Sequence, residues 1–468
     1  MNGIVAYSGY IPYYRLERKA IAEALGTPAG SGTRSVASYD EDATSMAVEA
    51  ARAALRTAHS VTPAAVYFAT ATPAYLDKTN ATAIHAALDL DSSASAFDML
   101  GSVRSGIGAL RAALDAGRPT LAALADVRTG LPGGADEREG GDGAVAFLCA
   151  PEGTGAPILA TPVAWASATA EFLERWRQPG DRASRQWEER FGEHVYGPLA
   201  ETALTAALKQ AGITASAIDH LVVGGMHGRA AKRAATAAGA RKGGVADDLT
   251  GAIGNTGTAH LGILLADALD RGEPDQLIAM VSLADGADAV IWRTTGALGS
   301  RDGRVSVASQ IARGGKVSYS AFLTWRGFLD REPPRRPDPE RPAAPPSFRR
   351  EAWKFGFIGS RCQACGARHL PPQRVCVKCQ AVDRMMPAPM ADVPATISTY
   401  TVDRLAYSLS PPVVAAVIDF EGGGRFQCEL TDVDPAAVKI GDRVGMTFRR
   451  LFTANGVHNY FWKARPLA

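Results

Sequence analysis

The chain has 468 residues, 46% of them hydrophobic, which is enough to bury a large core and favours two or three domains over one. Lys plus Arg (50) nearly cancels Asp plus Glu (48). The composition therefore lacks the basic footprint of nucleic-acid or anionic-membrane binding, and small molecules are the expected partners.

The first residues, Met1-Asn-Gly-Ile-Val-Ala-Tyr7, show no basic segment followed by an apolar one, and no run approaches eighteen apolar residues. The expectation is a cytoplasmic protein without a membrane span. Residues 44–55 carry apolar side chains at three-and-four spacing and predict an amphipathic helix; residues 199–211 do the same, followed by a turn and strand over 212–223. Two stretches repeat one order of elements: a Gly-rich turn, a helix, a parallel-type strand, a Gly-rich loop and another strand. The first occupies 101–117, 120–125 and 143–149; the second occupies 254–272, 276–282 and 287–293. Aligning their Leu-Asp-x-Gly helix ends puts Asp115 on Asp270, an offset of 155 residues, and predicts a duplicated α/β unit with halves at about 1–160 and 161–330. Its short apolar strands are expected to be buried on both faces under helices.

Residues 331–350 contain seven prolines and six arginines in twenty positions and read as a linker. An extended polyproline path over 333–346 would span about 43 Å at about 3.1 Å per residue. Beyond it, Cys362-Gln-Ala-Cys365 and Cys376-Val-Lys-Cys379 bring together four of the six cysteines. Each Cys-x2-Cys turn aims two sulfurs at one point, so Cys362, Cys365, Cys376 and Cys379 are expected to hold a structural Zn2+ with no open coordination position. Five β-rich segments follow at 395–402, 413–420, 424–430, 443–448 and 459–463, which suit a small barrel. The expected domains are 1–330, the linker 331–350, a zinc ribbon at 351–385 and the barrel at 386–468.

Several motifs in residues 1–330 resemble the thiolase superfamily, in the hydroxymethylglutaryl-CoA synthase and initiating ketoacyl synthase branch. They are Gly3-Ile-Val-Ala-Tyr-Ser-Gly-Tyr-Ile-Pro12, Tyr39-Asp-Glu-Asp-Ala-Thr-Ser-Met46, Phe97-Asp98 before a Gly-rich helix start, and Ile253-Gly-Asn-Thr-Gly257. The resemblance implies an α/β, duplicated five-layer thiolase-like fold, an acyl-CoA or acyl-carrier thioester as substrate, a homodimer and a place in lipid metabolism. The segment from Arg361 onward is similar to zinc-ribbon plus OB-fold modules, which accompany thiolase-like enzymes and help to hold or channel acyl-CoA.

The family stores its acyl group on a cysteine five residues after the Asp of the Phe-Asp pair, with a glycine eight after it. Counted from Asp98, these positions are Val103 and Gly106. The family's histidine lies five residues after an Asp and its Gly-Lys pair nine and ten after. From Asp219 the positions are Gly224, Gly228 and Arg229, so the register holds and the histidine is absent. The synthase branch's glutamate, three residues before a proline, reads Thr70 before Pro73. Ser102 and Ser105 flank the valine. The resemblance leaves Asn255 as an amide donor and His227 and His260 as the nearest imidazoles. Arg229 matches a CoA-contacting position, and Lys232, Arg233, Arg241 and Lys242 stand near it as possible phosphate partners. Cys149 and Cys428 lie in apolar strands and read as buried small hydrophobes.

Three functions fit this set. The first is an acyl-CoA C–C lyase or ligase of aldol type that needs no acyl-cysteine, by analogy with steroid side-chain aldolases, which pair a thiolase-like subunit lacking the usual cysteine with a zinc-ribbon/OB-fold partner. The second is a condensing acyltransferase using Ser102, Ser105 or direct transfer. The third is a noncatalytic CoA-binding scaffold.

Overall fold

Alternation along the strands sorts the side chains of the larger of two compact units between a central core and the outer faces of the sheet. The computed structural model describes residues 2–28, 30–299, 304–335 and 337–467. Its first unit comprises the chain up to Ala37, Asp42–Thr82 and Asp91–Tyr319; the second comprises Ser38–Glu41, Ala83–Leu90 and everything from Ser320 onward.

In the first unit the elements are β1 (Asn2–Tyr10), α1 (Ala43–Leu55), β2 (Ala65–Thr70), β3 (Ser95–Leu100), α2 (Ser105–Asp115), β4 (Thr120–Val127), β5 (Asp142–Pro151), β6 (Ala160–Ala168), α3 (Glu189–Ala211), β7 (His220–Gly225), α4 (Gly228–Ala237), α5 (His260–Arg271), β8 (Leu277–Leu283) and β9 (Ala287–Thr294). The strands form one mixed sheet in the order β7-β8-β9-β6-β1-β5-β4-β2-β3. The duplication is explicit: β4 runs parallel to β2 and β8 parallel to β7, while β5 and β9 return antiparallel. The first residues of α2 and α5, Ser105 and His260, keep the 155-residue offset.

Along β8, Ile278 and Met280 join the central core with Leu124, Val145 and Phe147, whereas Ala279, Val281 and Leu283 join an outer core with Tyr196, Ala203 and Ala207 of α3. The two halves of the sheet therefore sandwich α2 and α5, with α1 packed outside one half and α3 outside the other. This gives the five layers of a thiolase-like fold. A capping box starts α1, where Asp42 Oδ1 accepts from Ser45 N–H at 2.8 Å and Ser45 Oγ accepts from Asp42 N–H at 2.9 Å. Helix α3 begins ten residues before the expected start at 199 and runs through Pro198. Proline is normally a first-turn residue, yet Pro198 lies inside this helix.

In the second unit, three strands, Arg368–His369, Ile358–Cys362 and Met385–Pro389, form the ribbon sheet. Strands β10 (Ala395–Asp403), β11 (Val413–Phe420), β12 (Arg425–Leu430), β13 (Arg443–Ala454) and β14 (Val457–Pro466) close into a barrel in the order β10-β11-β12-β14-β13. The end of the linker segment is helical over Ala344–Arg349, because prolines in a first turn are compatible with helix. Phe357, Phe448 and Trp462 are buried among further aromatic rings.

The four residues Ser38–Glu41 are held in this unit by charge. Arg449, fully buried, meets Glu41 at 2.7 Å, Asp40 at 3.5 Å and Asp432, while buried Lys463 meets Asp40 at 3.0 Å and Glu429 at 2.8 Å. Burial alone would raise the Asp40 carboxyl, but Lys463 and Arg449 outweigh it and hold it at about 2. A depressed carboxyl contributes stability above its unfolded value that is lost as pH falls through about 2. Arg449→Met, which strands three carboxylates, is expected to destabilise this unit by about 3–5 kcal/mol. Urea unfolding followed by tryptophan fluorescence measures the loss.

Candidate functional site

The heads of the two central helices meet where the count from Asp98 places Val103. Residues 102–106 form a tight turn into α2, with Ser105 N–H donating to Ser102 O and Gly106 N–H to Val103 O, both at 3.1 Å. A Cβ on Gly106 would lie 2.5 Å from Thr258 O, so only glycine permits this approach of α2 to the turn before α5. Val103 and Gly224 do converge: both line one cavity, together with Gly257, Thr258, His260 and Ser282. Its volume is about 20 Å³, room for about one water. A Cβ on Gly224 would stand 3.1 Å from Leu261 Cδ1 and 3.5 Å from its Cβ, so the space of an imidazole at 224 is taken by Leu261.

The remaining polar candidates are committed to the backbone. His227 caps α4: its Nδ1 accepts from Ala230 N–H at 3.1 Å, which leaves the proton on Nε2, 2.8 Å from Glu189 O. It does not line the cavity. His260 does, but burial lowers its pKa to about 4, and its Nδ1 sits 3.3 Å from Thr256 N. It is neutral at pH 7 and a weak base. Asn255 ties β7 to the turn before α5, donating from Nδ2 to Gly225 O at 2.7 Å and accepting on Oδ1 from Gly257 N–H at 3.0 Å. One Nδ2 hydrogen is left over. Thr70 donates to Asp126 at 2.9 Å instead of supplying a base.

The basic candidates lie on an exposed face. Arg229 pairs with Glu189 at 2.9 Å, Arg233 with Glu193 at 3.2 Å and Arg241 with Asp219 at 3.0 Å, while Lys232 and Lys242 are exposed. Ser102 and Ser105 are half-buried and outside the cavity lining; Ser105 Oγ reaches only Leu100 O, at 3.5 Å. Burial raises the thiol of Cys149, and pushes that of Cys428 up to about 12, so neither is a thiolate at neutral pH.

Two residues that the sequence did not mark stand out in their place. Arg128, just past β4, is 6% exposed, and among the described residues no hydrogen-bond partner or carboxylate lies within 4 Å of its guanidinium. Its backbone is fixed, the N–H donating to Asp142 at 2.8 Å and the carbonyl accepting from Arg34 at 2.9 Å. Its Cδ would be 2.9 Å from a Cβ on the cavity residue Gly257. Glu174 is likewise 6% exposed, with no hydrogen-bond partner for its carboxylate among the described residues, and burial raises its pKa. It packs against Gly192 beside His227 and, like His227 and Asn255, lies outside the cavity lining. Arg175, held bidentate by Asp136 at 2.7 and 2.9 Å, interacts electrostatically with both Arg128 and Glu174. Arg177 donates to the Ala71 carbonyl. The sequence signal was only a charged residue after an apolar strand, which is ordinary; burial made it unusual.

In the ribbon, Cys362 and Cys379 sulfurs lie 3.7 Å apart and Cys365 and Cys376 sulfurs 3.5 Å apart, with all four within 4.8 Å of one another. Tetrahedral ligation at about 2.3 Å requires sulfurs about 3.8 Å apart, so the set fits zinc. Backbone N–H groups of Cys379 and Lys378 point at Cys376, each at 3.4 Å, and help bring its thiol down to about 5. The four thiolates hold a structural Zn2+ with no position left for substrate.

Residues 356–383 match the family described as ChsH2, rubredoxin-like zinc ribbon domain, and residues 389–449 match ChsH2, C-terminal OB-fold domain. The hydroxymethylglutaryl-CoA synthase of Methanothermobacter thermautotrophicus is 30% identical over 350 residues, 70% of this chain and 99% of that one. That of Archaeoglobus fulgidus is 31% identical over 346 residues, 70% of this chain and 98% of that one. Two solved structures share the fold. An HMG-CoA synthase complexed with CoA aligns with a TM-score of 0.59 at 17% identity, over 69% of this chain and 89% of that one. The HMG synthase of curacin biosynthesis, in complex with an acetyl donor-ACP, aligns with a TM-score of 0.60 at 20% identity, over 69% and 88%. No described helix is long and apolar enough to cross a membrane. For the metal centre, elemental analysis should give one zinc per chain, and Cys376→Ser should lose the metal and the protease resistance of the ribbon.

Proposed function

The chain belongs to the hydroxymethylglutaryl-CoA synthase family, and from that premise we propose that it makes or breaks a C–C bond beside an acyl-CoA thioester by an aldol or retro-aldol route without an acyl-enzyme. The observation that carries this reading is Val103 at the head of α2, facing a cavity of about 20 Å³ whose histidine position is Gly224 beneath Leu261. Valine forms no thioester. An aldol cleavage needs none. A base takes the β-hydroxyl proton, the Cα–Cβ bond breaks, its electron pair becomes the thioester enolate, and the β-carbon leaves as a carbonyl.

Glu174 is the group available to carry that proton. Both ring nitrogens of His227 are bonded to backbone and His260 is buried with a lowered pKa, whereas the Glu174 carboxyl has no partner among the described residues and a raised pKa. The free Nδ2 hydrogen of Asn255 is an enolate-oxygen donor, and His227 positions the loop as a helix cap. CoA is the expected carrier because a neighbour of the same fold, an HMG-CoA synthase, is complexed with it, and the reading includes a cytoplasmic homodimer in lipid metabolism. The relatives' names support a second reading, a condensing acyltransferase, which in this chain would use Ser102, Ser105 or direct transfer.

The test is release of acetyl-CoA from β-hydroxyacyl-CoA thioesters of graded chain length. Glu174→Gln should lower kcat at least about 100-fold without lowering the melting temperature. In the wild type the carboxylate form is the active one, so kcat/KM should fall as pH drops through a pKa above the ordinary glutamate range. Unchanged turnover in Glu174→Gln removes this residue from the mechanism, and no cleavage of any thioester contradicts the reading.

A further inference from the structure

The chemistry of the substrate follows from a charge that the folded chain leaves unanswered. Arg128 is 94% buried, its backbone is pinned at both N–H and carbonyl, and its guanidinium meets no hydrogen-bond acceptor among the described residues. The two carboxylates that influence it are already engaged. Asp126 accepts from Thr70 Oγ1 at 2.9 Å, Ala71 N–H at 2.7 Å, Thr72 Oγ1 at 3.2 Å and Thr258 N–H at 2.7 Å. Asp136 takes Arg175 in a bidentate pair and Gln186 at 3.3 Å. Arg177, within electrostatic reach of Arg128, satisfies only a backbone carbonyl through Nη2 and has no carboxylate partner among the described residues.

Burying a guanidinium without an acceptor is costly, and folding alone gives no return for it. A ligand carboxylate does, because a planar fork of donors matches its two oxygens. The stem of Arg128 passes beside Gly257, which lines the cavity at the head of α2, so an anion held here lies beside the meeting point of the two helix heads. We propose that Arg128, assisted by Arg177, is a carboxylate-recognition site that selects ω-carboxyacyl-CoA substrates, the monothioesters of dicarboxylic acids. The inference rests on the acyl-CoA reading above, and the carboxylate adds what that reading left open. The loop that in the synthase branch supplies a glutamate here has Arg177 on its Ala71 carbonyl, which exchanges a negative group for a positive one.

The full-length protein should be titrated calorimetrically with free CoA and with two pairs of unreactive thioesters: succinyl-CoA against butyryl-CoA and glutaryl-CoA against valeryl-CoA. Each pair differs only by a carboxylate in place of the terminal methyl. Wild-type protein is expected to bind the carboxylate member of at least one pair about tenfold or more tightly. Arg128→Met should abolish that preference, leave affinity for free CoA and valeryl-CoA unchanged, and raise the melting temperature of the ligand-free protein by about 2 °C, because it removes an unpaired buried charge. Arg128→Lys, which keeps the charge but not the fork, should retain part of the preference. Equal affinities within both pairs overturn the proposal while CoA binding leaves the acyl-CoA reading standing. Failure to bind any CoA species overturns both. An Arg128→Met protein that melts lower, or that loses CoA and valeryl-CoA along with the preference, marks Arg128 as structural and overturns the proposal.

Discussion

The close approach of the two central helices at Gly106 and Thr258 is the constraint on which the rest of the thiolase-like unit depends. A Cβ at 106 would meet the Thr258 carbonyl at 2.5 Å, and one on Gly262 would meet Val145 Cγ1 at 2.6 Å. Glycine at these places lets two duplicated helices share one core between the halves of the sheet, and it brings their N-termini to a single point. In a thioester enzyme that point is valuable, because two helix heads offer N–H groups and positive potential to a developing oxyanion. Here the same geometry holds with Val103 and Leu261 lining that point, while His227 and Thr70 are bonded within the fold.

An imbalance lies on the other side of Gly257. Several other buried charges among the described residues have carboxylate partners. Arg449 and Lys463 share four carboxylates in the barrel unit, and Arg34 reaches Asp142 and two backbone carbonyls in the other. Arg128 and Glu174 have no such partner among the described residues, and both neighbour the Arg175–Asp136 pair. Groups that cost stability and stay unpaired are characteristic of sites shaped for a ligand instead of for folding. Desolvation then acts in opposite ways on the two. It makes the glutamate a better base by raising its pKa, and it strengthens any ion pair the arginine makes with substrate.

Much of this was legible in the sequence where local chemistry sets the outcome. The repeat offset of 155 residues located both central helices, and the Cys-x2-Cys pairs fixed the ribbon because the ligand geometry is contained in a few residues. Counting from Asp98 and Asp219 brought Val103 and Gly224 to one cavity, since strand and helix registers tolerate no slip. What escaped were properties of burial and distant packing. His227 has a sequence position that suggests a displaced base, but its ring nitrogens answer to Ala230 and Glu189, thirty-eight residues away in the second case. Ser38–Glu41 joins the barrel unit through Arg449 and Lys463, which no local pattern announces. Arg128 and Glu174 look like surface charges until the fold encloses them.

The central claim is that a family built on an acyl-cysteine is represented here by a chain that works without any acyl-enzyme. Intact-mass spectrometry of the full-length protein after incubation with acetyl-CoA and longer acyl-CoA thioesters tests it directly. The account predicts an unmodified mass under conditions in which β-hydroxyacyl-CoA is cleaved. A stable increase by the mass of the acyl group, mapped to Ser102, Ser105 or any other side chain, would contradict it.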